Sequence, residues 1–202
     1  MPLPLRVFEE RYLRMLADHR GADPVFGVVL IKSGRETGSH PEVYATGTAA
    51  SLVSDRHHRS ERSNIVVTGG ARFRTTDIDW TRGYGLATID YLNEAPFEAV
   101  GLDALMRTTK ELLRRYILGI TQLTGRHFDQ VRLPIDPAAC SWEIATRLPL
   151  HTWERQFLLE QSRTAERFET LRYLLRRELA LLYGAGAAGL AVNHPGGTFT
   201  LN

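Results

Sequence analysis

The chain has 202 residues, 43% of them hydrophobic and 24% charged, with a formal net charge of +2. Those values suit one globular domain, or one and a half, with a sizeable core, and they argue against nucleic acid as an obligatory partner. No run approaches the roughly 18 apolar residues of a membrane span, no basic-then-apolar leader opens the chain, and Cys140, the single cysteine, excludes an internal disulfide and a multi-cysteine metal site, so the expectation is a soluble cytoplasmic protein without a membrane partner.

Pro2 and Pro4 fix their own φ and bias the residues before them away from helix, so the chain opens extended. Phe8, Tyr12 and the pair Met15/Leu16 then recur at helical intervals. Glu9 and Glu10 stand where a helix N-terminus favours negative charge, Glu10 is one turn before Arg14, and Gly21 is the expected stop. Val25 to Ile31 is an apolar, β-branched run that predicts a strand buried on both faces. Ser33 to Pro41 reads as a loop, and Val43 to Val53 as a second strand with Gly47 as a bulge or close-packing point. Asp55 to Asn64 reads as a polar, charged connection. Ile65-Val66-Val67 starts a further strand, bent at Gly69-Gly70 and continued from Phe73 to Trp80 with a bulge where the alternation breaks. Thr81 to Gly83 is a turn, Gly85 to Leu92 another strand, and Asn93 to Pro96 closes the β-rich part.

Helical spacing then takes over. Leu102, Leu105/Met106, Leu112/Leu113, Tyr116, Ile120 and Leu123 share one face of a long helix that Gly125 ends. Asp136 before Pro137 is a start signal for a helix with Cys140, Ile144 and Leu148 on its face, stopped by Pro149. Thr152 is the expected cap of a short helix to Glu160. Thr164 is the expected cap of a last one, with Phe168, Leu171, Leu174/Leu175, Leu179 and Leu182 inward and Glu166, Glu169, Arg172, Arg176 and Arg177 outward. The expected class is α+β, divided into a β-rich part (1–95), a helical part (96–183) and a flexible glycine-rich tail (184–202).

No catalytic constellation emerges. Gly184-Ala185-Gly186-Ala187-Ala188-Gly189 matches Gly-x-Gly-x-x-Gly, but it follows a helix instead of a strand, so a helix C-cap and tail is the better reading. His57-His58 lacks companions at metal-ligand spacing and reads as part of a solvated loop. No serine sits in Gly-x-Ser-x-Gly, and Cys140 lies on an apolar helix face as a structural thiol. Arg56, Arg59, Arg62, Arg72 and Arg74 are the one candidate basic patch, with Trp80 and Tyr84 around Arg82 as stacking surface; a solvated surface is the stronger reading.

Leu3-Pro4-Leu5-Arg6-Val7-Phe8-Glu9-Glu10-Arg11-Tyr12 resembles the "LPL-x-IFE-x-RY" signature of the Lon protease N-terminal, substrate-binding domain family. Phe26-Gly27-Val28-Val29 resembles its "FGVVL" strand, Gly47-Thr48-Ala49-Ala50 its "GT-x-A" strand, Gly70-Ala71-Arg72-Phe73-Arg74 its "G-x-RRFR" segment, and Leu148-Pro149-Leu150 its later "LPL". The structural signature is thus Phe8, Glu9, Arg11, Tyr12, Gly70, Arg72 and Phe73, with Phe8 and Tyr12 expected to wedge the first helix against the barrel that the resemblance implies. The resemblance implies a PUA-like β-barrel followed by a C-terminal helical bundle. It implies a stand-alone, proteolysis-related binding module for unfolded or degradation-bound polypeptides within a protease or chaperone system, with no ATPase or peptidase, no enzyme activity and no cofactor or metal. A PUA-like RNA-binding or regulatory protein is the alternative. Family members carry a strand before "LPL"; this sequence starts at Met1-Pro2, so either the start lies upstream or a strand edge is open to a peptide or to a homo-oligomer. Trp80, Arg82 and Tyr84 are the expected protein-binding residues, chosen as aromatic and basic groups at a turn.

Overall fold

The computed structural model describes residues 2–18, 25–34, 40–58, 62–95, 101–125 and 132–192. They form two compact units, 1–93 and 94–202.

The first unit is a five-stranded antiparallel sheet and one helix, with strands β1 (Pro2–Val7), β2 (Val25–Ser33), β3 (Glu42–His58), β4 (Arg62–Asp79) and β5 (Leu86–Leu92) and helix α1 (Glu10–Asp18). The order is β1-β4-β3-β2, and β5 pairs with the far half of β4. The path is open: no pairing joins β1 to β2 among the described residues, so a closed barrel is not what the sheet forms. β1 pairs Leu3 with Val67 and Leu5 with Ile65. Proline has no N–H to give, so the ladder runs through these residues and Pro2 and Pro4 face away from β4.

β3 and β4 make a long hairpin whose ladder continues to His58 opposite Arg62. The polar stretch expected as a connection is therefore mostly strand, His57-His58 included. Pairing satisfies backbone groups whatever the side chains, and here Ser63, 1% exposed, also donates to the Asp55 carboxylate. Irregularities lie between Thr48 and Ala50 and between Leu52 and Ser54, and the bulge expected after Phe73 lies between Thr75 and Asp77. β2 is not buried on both faces. As the end strand it has one neighbour, and Val25 and Val28 are exposed.

Phe73, opposite Gly47, explains the glycines of the neighbouring strands. A Cβ on Gly47 would lie 2.7 Å from the Phe73 ring and 2.6 Å from the Val28 carbonyl oxygen, and one on Gly27 would lie 2.8 Å from the same ring. One aromatic ring thus lies across two strands because both offer no side chain beneath it. Gly70, by contrast, has room for a methyl group. Arg72 beside it is buried, which removes it from any surface basic patch.

α1 packs Leu16 and Met15 on Leu5, Val7, Phe26, Ala50, Ile65 and Val67. Phe8 is 61% exposed, so the wedge is made by Met15 and Leu16 instead. Phe8 stands in the link between β1 and α1, outside the helical repeat that carries Met15 and Leu16 inward. Glu9 and Arg11 pair at 2.9 Å with the guanidinium 4.7 Å from the Tyr12 ring, and Glu10 meets Arg14 at 3.1 Å. Gly21 lies outside the described residues.

The second unit holds α2 (Leu102–Thr124), α3 (Pro137–Ala145), α4 (Thr152–Glu160) and α5 (Thr164–Val192). Gly125, at φ 65°, ends α2 and donates its N–H to Thr121, and Asp136 caps α3 by accepting from Ala139 N–H at 2.7 Å. The cap of α4 is one residue earlier than expected, at His151, whose N–H goes to Glu154 at 2.8 Å. α5 begins at Thr164 and runs through Gly184, so the expected C-cap and tail is helical to Val192. Ala185, Ala187 and Ala188, the best helix formers, add no penalty to the roughly 1 kcal/mol that each glycine costs. Residues 193–202 of the expected tail lie outside the described residues. α2 and α5 approach closely at Gly119, where a Cβ would lie 2.2 Å from Leu182.

Buried polar ties help to hold the helices. Arg167 is 0% exposed. It donates to Ser141 of α3 at 3.0 Å, to the Gln161 carbonyl after α4 at 2.9 Å, to Glu94 at 2.8 Å and to Thr164 at 3.0 Å, with Trp142 stacked 4.2 Å below. Glu154, 2% exposed, pairs with Arg177, which also binds Glu178 at 2.7 Å. Arg177 is therefore a structural group and not only a solvent-side one. Its hydrogen bond holds the Glu154 carboxyl below the ordinary 4.5, against burial, with help from His151 N–H.

Three outcomes follow for stability. Gly47→Ala should lower stability by about 2 kcal/mol or more through overpacking, while Gly70→Ala stays within about 0.5 kcal/mol, both read from denaturant midpoints. Arg167→Lys should lose about 2–4 kcal/mol, since an ammonium cannot replace a planar fork with four acceptors, and thermal melting measures it. Glu154→Gln should cost about 1–2 kcal/mol at neutral pH. Because the folded pKa is depressed, that stabilisation is complete above pH 4.5 and is lost as pH falls through the folded value. The gap between wild type and Glu154→Gln should close on acidification, and a constant gap would contradict the pairing.

Candidate functional site

α4 has nine residues and therefore room to bury one face. Two apolar sets compete for it, Trp153/Phe157 and Leu158. Leu158 is in the core at 1% exposure, with Glu154 and Gln156 buried beside it, whereas Trp153 and Phe157 are 63% and 52% exposed. The helix is held by Leu158 together with Glu154 and Gln156, and it turns Trp153 and Phe157 to solvent. Each polar group inside has its compensation: Glu154 has Arg177 and the His151 N–H, and Gln156 donates to Glu160 at 2.8 Å.

The surface extends beyond α4. His151 stacks on Trp153 with centroids 6.4 Å apart and planes 8° from parallel. α4 is tied to α5 at both ends, through Glu154 to Arg177 and through Gln161 to Thr170 at 2.8 Å. Tyr173, 68% exposed, sits on α5 between those two anchors. Trp153 and Phe157, one helical turn apart, thus keep much of their ring surface in water, and Tyr173 is a further exposed aromatic on α5.

Trp80, Arg82 and Tyr84 do not form one surface. Tyr84 is 2% exposed and its hydroxyl donates to Asp18 at 2.7 Å, so it locks α1 to the turn. Trp80 is half-buried with its ring 4.9 Å from His40. Arg82 stands exposed in a turn that Gly83 closes at φ 83°, with the Asp79 carboxylate accepting from Thr81 N–H at 2.9 Å. Reasoning from sequence passed over Trp153 and Phe157, although their spacing of four with Glu154 and Gln156 between them marked a helix with two competing faces.

The lone thiol is not set up as a nucleophile. Cys140 is fully buried, and burial pushes its thiol above the ordinary value despite Lys110 nearby, the opposite of an activated nucleophile. Among the described residues no cluster of three or more His, Cys, Asp or Glu could hold a metal ion, and no helix is long and apolar enough to cross a membrane.

Known proteins place the chain. It is 24% identical over 182 residues to a Lon protease of Dictyoglomus thermophilum and 26% identical over 184 residues to that of Escherichia coli K12. Each match covers 90% of this chain and 23% of the relative, so the chain spans about a quarter of those proteins. Its fold is similar to the crystal structure of a Lon N-terminal domain protein from Xanthomonas campestris, with a TM-score of 0.58 and 21% identity over 85% of this chain and 88% of that one. The N-terminal domain of the Mycobacterium avium complex Lon protease matches with a TM-score of 0.57 and 18% identity, covering 87% and 90%. The model of the ATP-dependent protease La (LON) substrate-binding domain matches residues 1–177, and the chain belongs to that family.

Proposed function

We propose that this chain is a non-enzymatic polypeptide-recognition module that engages unfolded or degradation-bound proteins for a protease or chaperone system. The observation that carries the reading is helix α4, which is anchored by Leu158 and buried polar groups while Trp153 and Phe157 stay in water. An unfolded chain differs from a folded one chiefly in its accessible apolar side chains, and aromatic anchors are the side chains best suited to bind them. Family membership supports the reading. We also infer that the open sheet is the body of a PUA-like barrel and α2 to α5 a C-terminal bundle, from the order of strands then helices and the family relationship. Strand addition at β1 is disfavoured as the binding mode, because Pro2 and Pro4 leave that edge short of donors. RNA binding has no support of its own: the net charge is +2 and Arg72 is buried.

A fluorescein-labelled, permanently unfolded carboxymethylated protein tests the proposal by anisotropy. It should bind, its native counterpart should not, and Trp153→Ala with Phe157→Ala should weaken binding about tenfold or more with an unchanged melting temperature. Equal affinity for native and unfolded forms, or indifference to the double substitution, would overturn it.

A further inference from the structure

A second surface of the helical unit has a different chemistry. A groove of about 740 Å³ runs between α2 and α5. Arg107, Arg114, Arg115 and Arg176 line it, against a single carboxylate, Glu111. Helical spacing explains the concentration: positions 107, 111, 114 and 115 share one face of α2, and 176, 179, 180 and 183 one stripe of α5. Arg114 meets Glu111 at 3.4 Å. Arg107, Arg115 and Arg176 are exposed and have no ion-pair partner among the described residues, so three arginines line the groove without a carboxylate of their own.

The remaining walls are apolar. Leu112 and Leu179 are core residues whose edges reach the groove, and Ala180 and Tyr183 complete it. A phosphate chain would use the arginines and waste that floor. A run of bases would find one aromatic ring, Tyr183, with Glu111 set against its backbone. Carboxylates spaced along a chain with apolar side chains between them would use both. The stripe from 176 to 183 is about 10 Å long, which three or four extended residues cover.

We propose that the α2–α5 groove docks acidic segments of polypeptides, with Arg107, Arg115 and Arg176 pairing their carboxylates while an interspersed apolar side chain rests on Leu112 and Leu179. The proposal rests on the polypeptide-recognition reading and adds the class of sequence selected. Unfolded chains would be held by two contacts, the aromatic surface of α4 for apolar content and this groove for acidic content.

The test uses the full chain and labelled short peptides in which Glu and Asp alternate with Leu, beside matched peptides carrying Gln or Lys instead. The acidic peptide should bind about tenfold more tightly than the Gln peptide, with affinity falling as salt rises. Arg115→Glu with Arg176→Glu, both exposed positions, should abolish that preference and transfer it to the Lys peptide, while melting and the binding of an uncharged unfolded protein stay unchanged. Equal affinity for acidic and Gln peptides overturns the groove and leaves the α4 surface standing. Loss of unfolded-protein binding confined to the Trp153/Phe157 variant, with acidic preference retained, supports the groove as separate. Tighter binding of a labelled oligonucleotide or of polyphosphate, lost in the same double variant, overturns the assignment of occupant.

Discussion

A guanidinium group without access to solvent organises the helical unit. The burial of Arg167 is tolerable only while its donors meet acceptors. Those acceptors come from four places in the chain: Glu94 at the start of the unit, Ser141 on α3, the carbonyl of Gln161 after α4, and Thr164 at the start of α5. The apolar core of Leu113, Ile144, Leu158, Phe168, Leu171 and Leu175 supplies the larger share of driving force, but hydrophobic burial is non-directional. Directional bonds to one planar fork define which turns must meet. The neighbouring contact from Ala95 N–H to the Ser162 carbonyl, at 3.0 Å, fixes the same junction from the backbone.

The sheet unit answers the same requirement by subtraction. Gly27, Gly47 and Phe73, which stand in three separate stretches resembling family motifs, are one packing device: a ring and the two bare backbones beneath it. This gives those motifs a physical meaning that none has alone. Gly70 and Arg72 in the same segment act differently, the first with room to spare and the second buried in β4, so a motif's residues need not share a role.

Elements whose boundaries are written in local chemistry were legible. Asp136-Pro137 and Gly125 mark helix ends because a cap satisfies backbone groups within three or four residues of itself. The bulge after Phe73 was legible from broken alternation. The continuation of β3 and β4 past Asp55 was not, because a ladder stabilises polar residues through backbone bonds that leave no apolar pattern. Burial of polar groups was also hidden. Arg167 had a signal, since Thr164, Arg167, Phe168 and Leu171 follow the spacing of the inward stripe, but an arginine there is read as solvent-facing until its acceptors are known. Tyr84 looked like a surface aromatic at a turn. Its partner Asp18 is sixty-six positions away, a separation at which sequence carries no pairing information.

Because α4 is anchored through Glu154, Gln156 and Leu158, the residues that fold this helix and the residues it displays are different sets. Most apolar surfaces are under joint control, since a change that alters recognition also disturbs packing. Here the two tasks are uncoupled along a single nine-residue segment. Trp153 and Phe157 lie outside the core cluster that Leu158 joins, so a change in what this helix displays falls on other side chains than those that anchor it.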